Sequence, residues 1–318
     1  MPVLSVIVPI FGVEKYIERC VNSLFAQQLK DIEFIFINDC TPDRSMELLD
    51  SIIESHRPYI SEMGWTIRIE HMPTNSGLPA VRQKGVLCAS GTYIIHCDSD
   101  DWVAPEMYLS MYKVAIHENA DVVICDFAVT DGNKVLQQVK GCGSTNKDLY
   151  LRRLLSQIDT WSVWNKMFKR SLYFENEFVF PSCQMGEDFV LTVQLLLYVD
   201  KISYIPLPLY YYFYNPASLT HSKSEDKRMD LFWQNKTNAD IVFGILKNKN
   251  MHQKYSAEIE ARKWGIKKTL WYSAFDKEKR ELWSNVYQEI NNRVITNPCI
   301  SIQDKIEFVL TYLHLFPL

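Results

Sequence analysis

No apolar run in this chain reaches the ~18 residues needed to span a bilayer, and no basic segment opens it: Met1-Pro2 leads straight into a strand pattern. The expectation is a soluble or at most peripheral protein without a signal peptide. The eight cysteines, at 20, 40, 88, 97, 125, 142, 183 and 299, contain no C-x-x-C pair, and several lie inside apolar runs. This pattern is that of buried thiols in a reducing compartment, not of a disulfide framework or a zinc site. The chain therefore reads as cytoplasmic, or peripheral at the inner face of a cell membrane. It has no run of five like charges, no internal repeat and no low-complexity tract. Basic residues nowhere alternate with aromatics in a stripe, so nucleic acid is not an expected partner.

What is present is a globular composition: 318 residues, 47% hydrophobic and 13% aromatic, enough for one large domain or two smaller ones. Charge is unevenly spread. Residues 1–222 carry 18 Lys and Arg against 26 Asp and Glu, a net −8, whereas residues 223–318 carry 16 against 12, a net +4. That shift places a boundary near 222. Residues 223–318 read as helical, with breaks near Asn248–Asn250, Phe275–Lys277 and Asn297-Pro298. Packing on the first region, homodimer formation and peripheral membrane contact are their candidate roles, although most surfaces of this charge are simply solvated.

In the first region, strand and helix patterns alternate. Leu4–Val8 is a β-branched apolar run ended by Pro9 and Gly12, followed by Ile17, Cys20, Val21, Leu24 and Phe25 at helical spacing. Strands are expected again at 33–38, 66–71, 93–97, 120–127 and 202–214, with helices at 46–53, 79–88, after Pro105, over 147–157 and from 187, and a hairpin at Gly132-Asn133. This order predicts an α/β fold with a mainly parallel sheet flanked by helices, and a ligand beyond the carboxyl ends of the strands.

Two acidic groups lie at such positions. Tyr93–Cys97 ends abruptly in Asp98-Ser99-Asp100-Asp101, a place to hold Mg²⁺ or Mn²⁺ through one or two carboxylates and the phosphates of a nucleoside diphosphate. The plainer reading is a polar turn with a helix cap. Gly186-Glu187-Asp188 opens a helix, where acidic residues are often dipole partners but where a cleft-facing Asp can also take a proton from a hydroxyl. Between them, Asp159, Trp161, Trp164 and Lys166 form an aromatic-rich piece without a clean period, readable either as core or as the floor of a sugar site.

Taken together, Val8-Pro9-Ile10-Phe11 with Glu14, Asn38-Asp39, Asn75-Ser76-Gly77 with Arg82, Asp98-Ser99-Asp100-Asp101 and Gly186-Glu187-Asp188 resemble glycosyltransferase family 2 over about residues 3–221. The resemblance implies a GT-A fold, an inverting mechanism, a UDP-sugar donor, a divalent metal and a glycan or lipid-linked glycan acceptor, in a setting of bacterial surface polysaccharide assembly. It places Pro9, Phe11, Glu14, Asn75 and Gly77 along the nucleotide pocket, with Asp39 accepting from the uracil ring. Asp98 stands at the ribose side, Asp100 on the metal with Asp98, and Arg82 near the phosphates or the carboxylates. Asp188 matches the general base, with Glu187 beside it.

The chain departs from the family's pattern at Gly12, at Cys40-Thr41 and at Phe213, where relatives often carry an Arg that reaches the diphosphate. Ser218 and His221 are candidate substitutes, and His221 is also a candidate acceptor contact alongside Asp159, Trp161, Trp164 and Lys166. The Gln-x-x-Arg-Trp signature of processive synthases is missing, which implies one sugar added per encounter. Two other readings fit parts of the pattern. A sugar nucleotidyltransferase would need a Gly-rich loop with Arg and Lys after the first strand, which Pro9–Val13 does not offer; a degenerate member that binds nucleotide or glycan without turnover is the other.

Overall fold

The computed structural model describes residues 1–214, 225–273 and 277–312, and the side chains of 271–273 and 277–280 are not described. Among the described residues nine strands form one sheet in the order β3-β2-β1-β4-β8-β6-β9-β5, with β7 paired to β6. The first four are β1 (Leu4–Ile10), β2 (Ile32–Asn38), β3 (Thr66–His71) and β4 (Tyr93–His96). Their pairings with one another are parallel, Ile10 opposite Asn38 and Ile7 opposite His96. Their carboxyl ends therefore share one edge. The connecting helices are α1 (Ile17–Phe25), α2 (Ser45–Glu62) and α3 (Leu78–Cys88).

Period-two alternation sorts the strand residues between two cores. Val6, Val8, Phe34, Phe36 and Ile95 join α1, α2 and α4 (Met107–Glu118) on one face. Ile7, Ile35, Ile37 and Ile94 join α3, α5 (Lys147–Leu155) and α7 (Glu187–Tyr198) on the other. Strands buried on both faces read as continuous apolar runs, and that is how these runs appear in the sequence.

The remaining strands are β5 (Trp102–Val103), β6 (Val122–Thr130), β7 (Val135–Val139), β8 (Lys166–Lys169) and β9 (Ile202–Phe213), and α6 is the short turn Ser171–Phe174. β8 runs antiparallel between β4 and β6. β6 and β9 are parallel, with register shifts at Asp126 where Pro206 and Pro208 cannot donate to the ladder. The expected hairpin is present, β7 folding back on β6. Strands β5 and β8 were not expected. Each is four residues or fewer, too short to carry a period.

Beyond 224 come α8 (Glu225–Asn248), α9 (Ser256–Lys267), a 3₁₀ turn at Lys268–Ser273, α10 (Lys277–Asn285), a second 3₁₀ turn at Gln288–Ile290 and α11 (Ile302–Tyr312). The expected helical breaks near 248–250 and 297–298 lie between helices, while 274–276 fall outside the described residues. The core is continuous into this region: Phe232, Ala239, Val242 and Ile259 belong to the same apolar cluster as Phe189 and Val193 of α7. Among the described residues no helix is long and apolar enough to cross a membrane.

Candidate functional site: a carboxylate edge tied to Arg82

The loops leaving β1 and β2 are stitched together. Gly12 N–H donates to Thr41 Oγ1 at 2.8 Å, Val13 N–H to Ser45 Oγ at 3.2 Å and Glu14 N–H to Asp43 Oδ2 at 2.9 Å, while Glu14 Oε2 accepts from Arg44 N–H at 3.1 Å. Asp43 also accepts from the hydroxyls of Thr41 and Ser45. Burial opposes its charge, but these donors outweigh it and bring its carboxyl down to about 2. Pro9 is half-buried, and Phe11 is about half exposed (48%) at the mouth of these loops. Asp39, buried at the end of β2, takes Ser76 N–H on one oxygen (2.7 Å) and Gly77 N–H on the other (2.9 Å). Asp39 and Gly77 thus meet directly, with Asn75 exposed beside them.

At the end of β4 the three carboxylates separate by environment. Asp101 is buried, accepting from Tyr210 O–H at 2.7 Å and Phe213 N–H at 2.6 Å. It anchors the end of β9. Burial, followed by the charges of Asp100 and Asp98, holds its carboxyl well above the usual range. Asp98 and Asp100 keep partial exposure. Asp100 is pushed up to about 6 by burial and then by Asp98, and Asp98 is itself raised by burial against the pull of Arg82.

Arg82 is the link between this edge and α7. Its fully buried guanidinium lies 2.9 Å from Asp98, 2.7 Å from Glu187 and 3.7 Å from Asp188. Burial works against its charge, yet the three carboxylates hold it more firmly protonated than a free arginine. Glu187 is raised well above its ordinary range, chiefly by burial. One oxygen of Asp188 is buried and accepts no hydrogen bond. His96, at the end of β4, is fully buried with neither ring nitrogen partnered, and burial together with Arg82 keeps it neutral.

Sequence reasoning missed Arg19 and Tyr210. Where Phe213 stands, the Arg19 guanidinium lies 3.8 Å from the Trp102 ring centre and 4.7 Å from that of Phe213, and it donates to the Asp100 carbonyl at 2.9 Å. A lone Arg on an amphipathic helix carries no signal of this contact. Tyr210 accepts from Asp98 N–H at 3.1 Å, and nothing distinguishes it in sequence from its neighbours Tyr211 and Tyr212.

The four aromatic-segment residues are bonded inward. Asp159 is paired with Arg153 at 2.7 Å. Trp161 donates to the Leu154 carbonyl and carries the Arg262 guanidinium 4.3 Å above its ring. Trp164 is buried and stacked on Tyr210, with 4.1 Å between centroids. Lys166 is buried with three oxygens around its ammonium, from Thr160, Ser162 and Asn165, and burial lowers it to about 8. Ser218 and His221 lie outside the described residues.

Among the described residues no three His, Cys, Asp or Glu side chains form a metal-holding group by themselves. Two partly exposed carboxylates at a strand end, both raised by burial, are nonetheless a donor set suited to a hard divalent cation that completes its shell with phosphate oxygens and water.

The family model of glycosyl transferase family 2 matches residues 5–191, more than half of the chain, and the chain belongs to that family. It is a glycosyltransferase of GT-A fold. Over 250 residues it is 30% identical to EpsJ of Bacillus subtilis (strain 168), an uncharacterized glycosyltransferase, covering 76% of this chain and 70% of that one. TarS of Staphylococcus aureus (strain Mu50), a poly(ribitol-phosphate) beta-N-acetylglucosaminyltransferase, is 26% identical over 65% of this chain and 35% of its own length. The crystal structure of S. aureus TarS 1-349 with UDP-GlcNAc superposes with a TM-score of 0.70 at 19% identity, covering 98% of this chain and 88% of that one.

Proposed function

We propose that this glycosyltransferase moves one sugar per encounter from a UDP-sugar to a hydroxyl of a glycan or lipid-linked glycan, with inversion, in the assembly of a bacterial surface polysaccharide. The observation that carries the reading is the Arg82 knot. It joins Asp98 on the nucleotide side to Glu187 and Asp188 on the acceptor side, from segments about ninety residues apart in the chain. Inverting displacement needs these two functions on opposite sides of the anomeric carbon: charge stabilisation for the leaving diphosphate and a base for the incoming hydroxyl.

Asp188 is the base in this reading. Its side chain is about a quarter exposed (26%), with Oδ1 buried 3.7 Å from the Arg82 guanidinium, so Arg82 orients the carboxylate and the other oxygen is the one to take the proton. Asp100 and Asp98 would hold Mg²⁺ or Mn²⁺, which when bound supplies charge stabilisation to the departing diphosphate. Pro9, Phe11, Glu14, Asn75 and Gly77 border the nucleoside, with Asp39 the uracil acceptor. Arg19 adds a fixed positive charge beside Asp100 in the neighbourhood of Phe213. Residues 1–222 are read as the catalytic unit, at or near the cytoplasmic face of the membrane.

The test is calorimetric titration of UDP with Mn²⁺ and then with EDTA, followed by UDP-sugar turnover, with UDP-GlcNAc tried first. Metal-dependent binding is expected. Asp188→Asn is expected to bind UDP and Mn²⁺ as the parent does while losing at least ~10²-fold in transfer. Transfer near the parent rate would move the base elsewhere, and UDP binding without turnover of any UDP-sugar would favour the degenerate reading.

A further inference from the structure

The turn that delivers Glu187 and Asp188 has one backbone bond of its own, from Glu187 N–H to the Gln184 carbonyl at 3.3 Å. Gly186, the N-cap of α7, sits at φ +81° and has no side chain with which to cap the helix. The side-chain bonds to its backbone come from α8. Asn238, fully buried, donates from Nδ2 to the carbonyls of Cys183 (2.8 Å) and Met185 (2.9 Å). Gln234, one turn earlier on α8, accepts from Met185 N–H at 3.1 Å. A Cβ on Gly186 would stand 3.1 Å from Asn235 Oδ1, so the backbone of the turn lies against the helix. On its other side, a Cβ on Gly77 would stand 2.8 Å from Gln184 Nε2, and Gly77 is the residue whose N–H holds Asp39. Residues 183–186 are thus wedged between α8 and the nucleotide-side loop.

Apolar cover for α7 would require only residues such as Phe232 and Val242. It does not require a buried amide that spans two carbonyls of the turn, which costs desolvation unless both bonds are made. We infer that α8 is a positioning element of the transfer site, with Asn238 and Gln234 setting where α7 begins and therefore where Asp188 stands. Neither residue touches substrate. The inference rests on the reading of Asp188 as base, and it makes residues 223–318 part of the working enzyme and not an appendage.

Asn238→Leu keeps the volume and removes the donor; Gln234→Met removes the acceptor, and Gln234→Glu keeps it. Three quantities are measured on the full chain: amide hydrogen exchange over 183–190, UDP affinity with Mn²⁺, and UDP release from UDP-GlcNAc and UDP-glucose. For Asn238→Leu the expected result is exchange over 183–190 at least tenfold faster with β1 and β2 unchanged, UDP affinity and donor KM within twofold of the parent, and kcat lower by about 10–100-fold, as for a group displaced by about an ångström. Gln234→Met should move the same way by less, and Gln234→Glu should restore most of the loss. Parent-like exchange over 183–190 in both Asn238→Leu and Gln234→Met overturns the inference, as does faster exchange with parent-like kcat. Should Asn238→Leu fail to fold, the Gln234→Met and Gln234→Glu pair decides by the same criteria. Asp188→Asn with parent-like turnover would remove the base reading, while the exchange data would still report whether α8 holds the turn.

Discussion

Two sets of aspartates lie at the same edge of the sheet and are treated in opposite ways. After β2, Asp39 and Asp43 are surrounded by N–H and O–H donors supplied by neighbouring loops, and Asp43 is held near 2 as a result. After β4, burial raises both Asp98 and Asp100, with the charge of Asp188 adding to it at Asp98 and that of Asp98 at Asp100. In the first set the donors satisfy the charge and shape the loops, Asp43 by itself and Asp39 where it holds Ser76 and Gly77. The second carries charge against its burial, which a positive charge beside it relieves. Arg82 supplies part of that charge from inside, which is why removing it should have the largest effect.

Arg82→Met leaves Asp98 and Glu187 without their buried counter-charge and should cost about 3–5 kcal/mol, measured by urea unfolding, and UDP binding should fall with it. A loss under 1 kcal/mol would mean that these carboxyls are neutral in the parent. Asp100→Asn should act in the other direction. A carboxyl raised from 3.8 to about 6 destabilises the fold increasingly as pH rises from 3.8 towards 6, and constantly above it. The variant should therefore gain up to about 3 kcal/mol at pH 7.5, reduced by solvent screening at a half-buried site, and almost nothing at pH 4, while losing the Mn²⁺ dependence of UDP binding. Equal effects at both pH values would remove the electrostatic account.

Asp43→Asn probes the opposite sign. A carboxyl lowered to about 2 stabilises the fold fully above pH 3.8 and loses that contribution as pH falls through 2. The variant should lose about 1 kcal/mol at pH 7, the figure being reduced for solvent screening at a half-buried site, and thermal melts at pH 7 and pH 2 should show the difference narrowing. Cys40→Gly is the smallest. Cys40 sits at φ +56°, a conformation that favours glycine, and its thiol meets only the Met72 carbonyl. A gain below about 1 kcal/mol is expected, and Cys40→Ala, which keeps the strain, should show none.

Much of this arrangement was legible in the residues. The buried strands announced themselves because a strand covered on both faces must be apolar throughout, and the polar clusters at Asn38-Asp39 and Asp98–Asp101 followed where those runs stopped. The short strands β5 and β8 escaped because pairing with β9, β4 and β6 creates them; no local periodicity does. Trp161, Trp164 and Lys166 read equally as core or cleft, since composition says nothing of direction; the fold turns the Lys166 ammonium onto three protein oxygens.

The chain by itself determined the alternation of strands and helices, the family, and which carboxylates lie at strand ends, because these depend on local periodicity and on motifs close in sequence. Tertiary structure alone decided which carboxylate is buried as an anchor and which faces the cleft, that Arg82 ties residues 98 and 187 together, that Arg19 stands between Trp102 and Phe213, and that α8 grips the turn before Asp188. Those outcomes rest on contacts between segments tens of residues or more apart, and on the desolvation that only a closed core imposes.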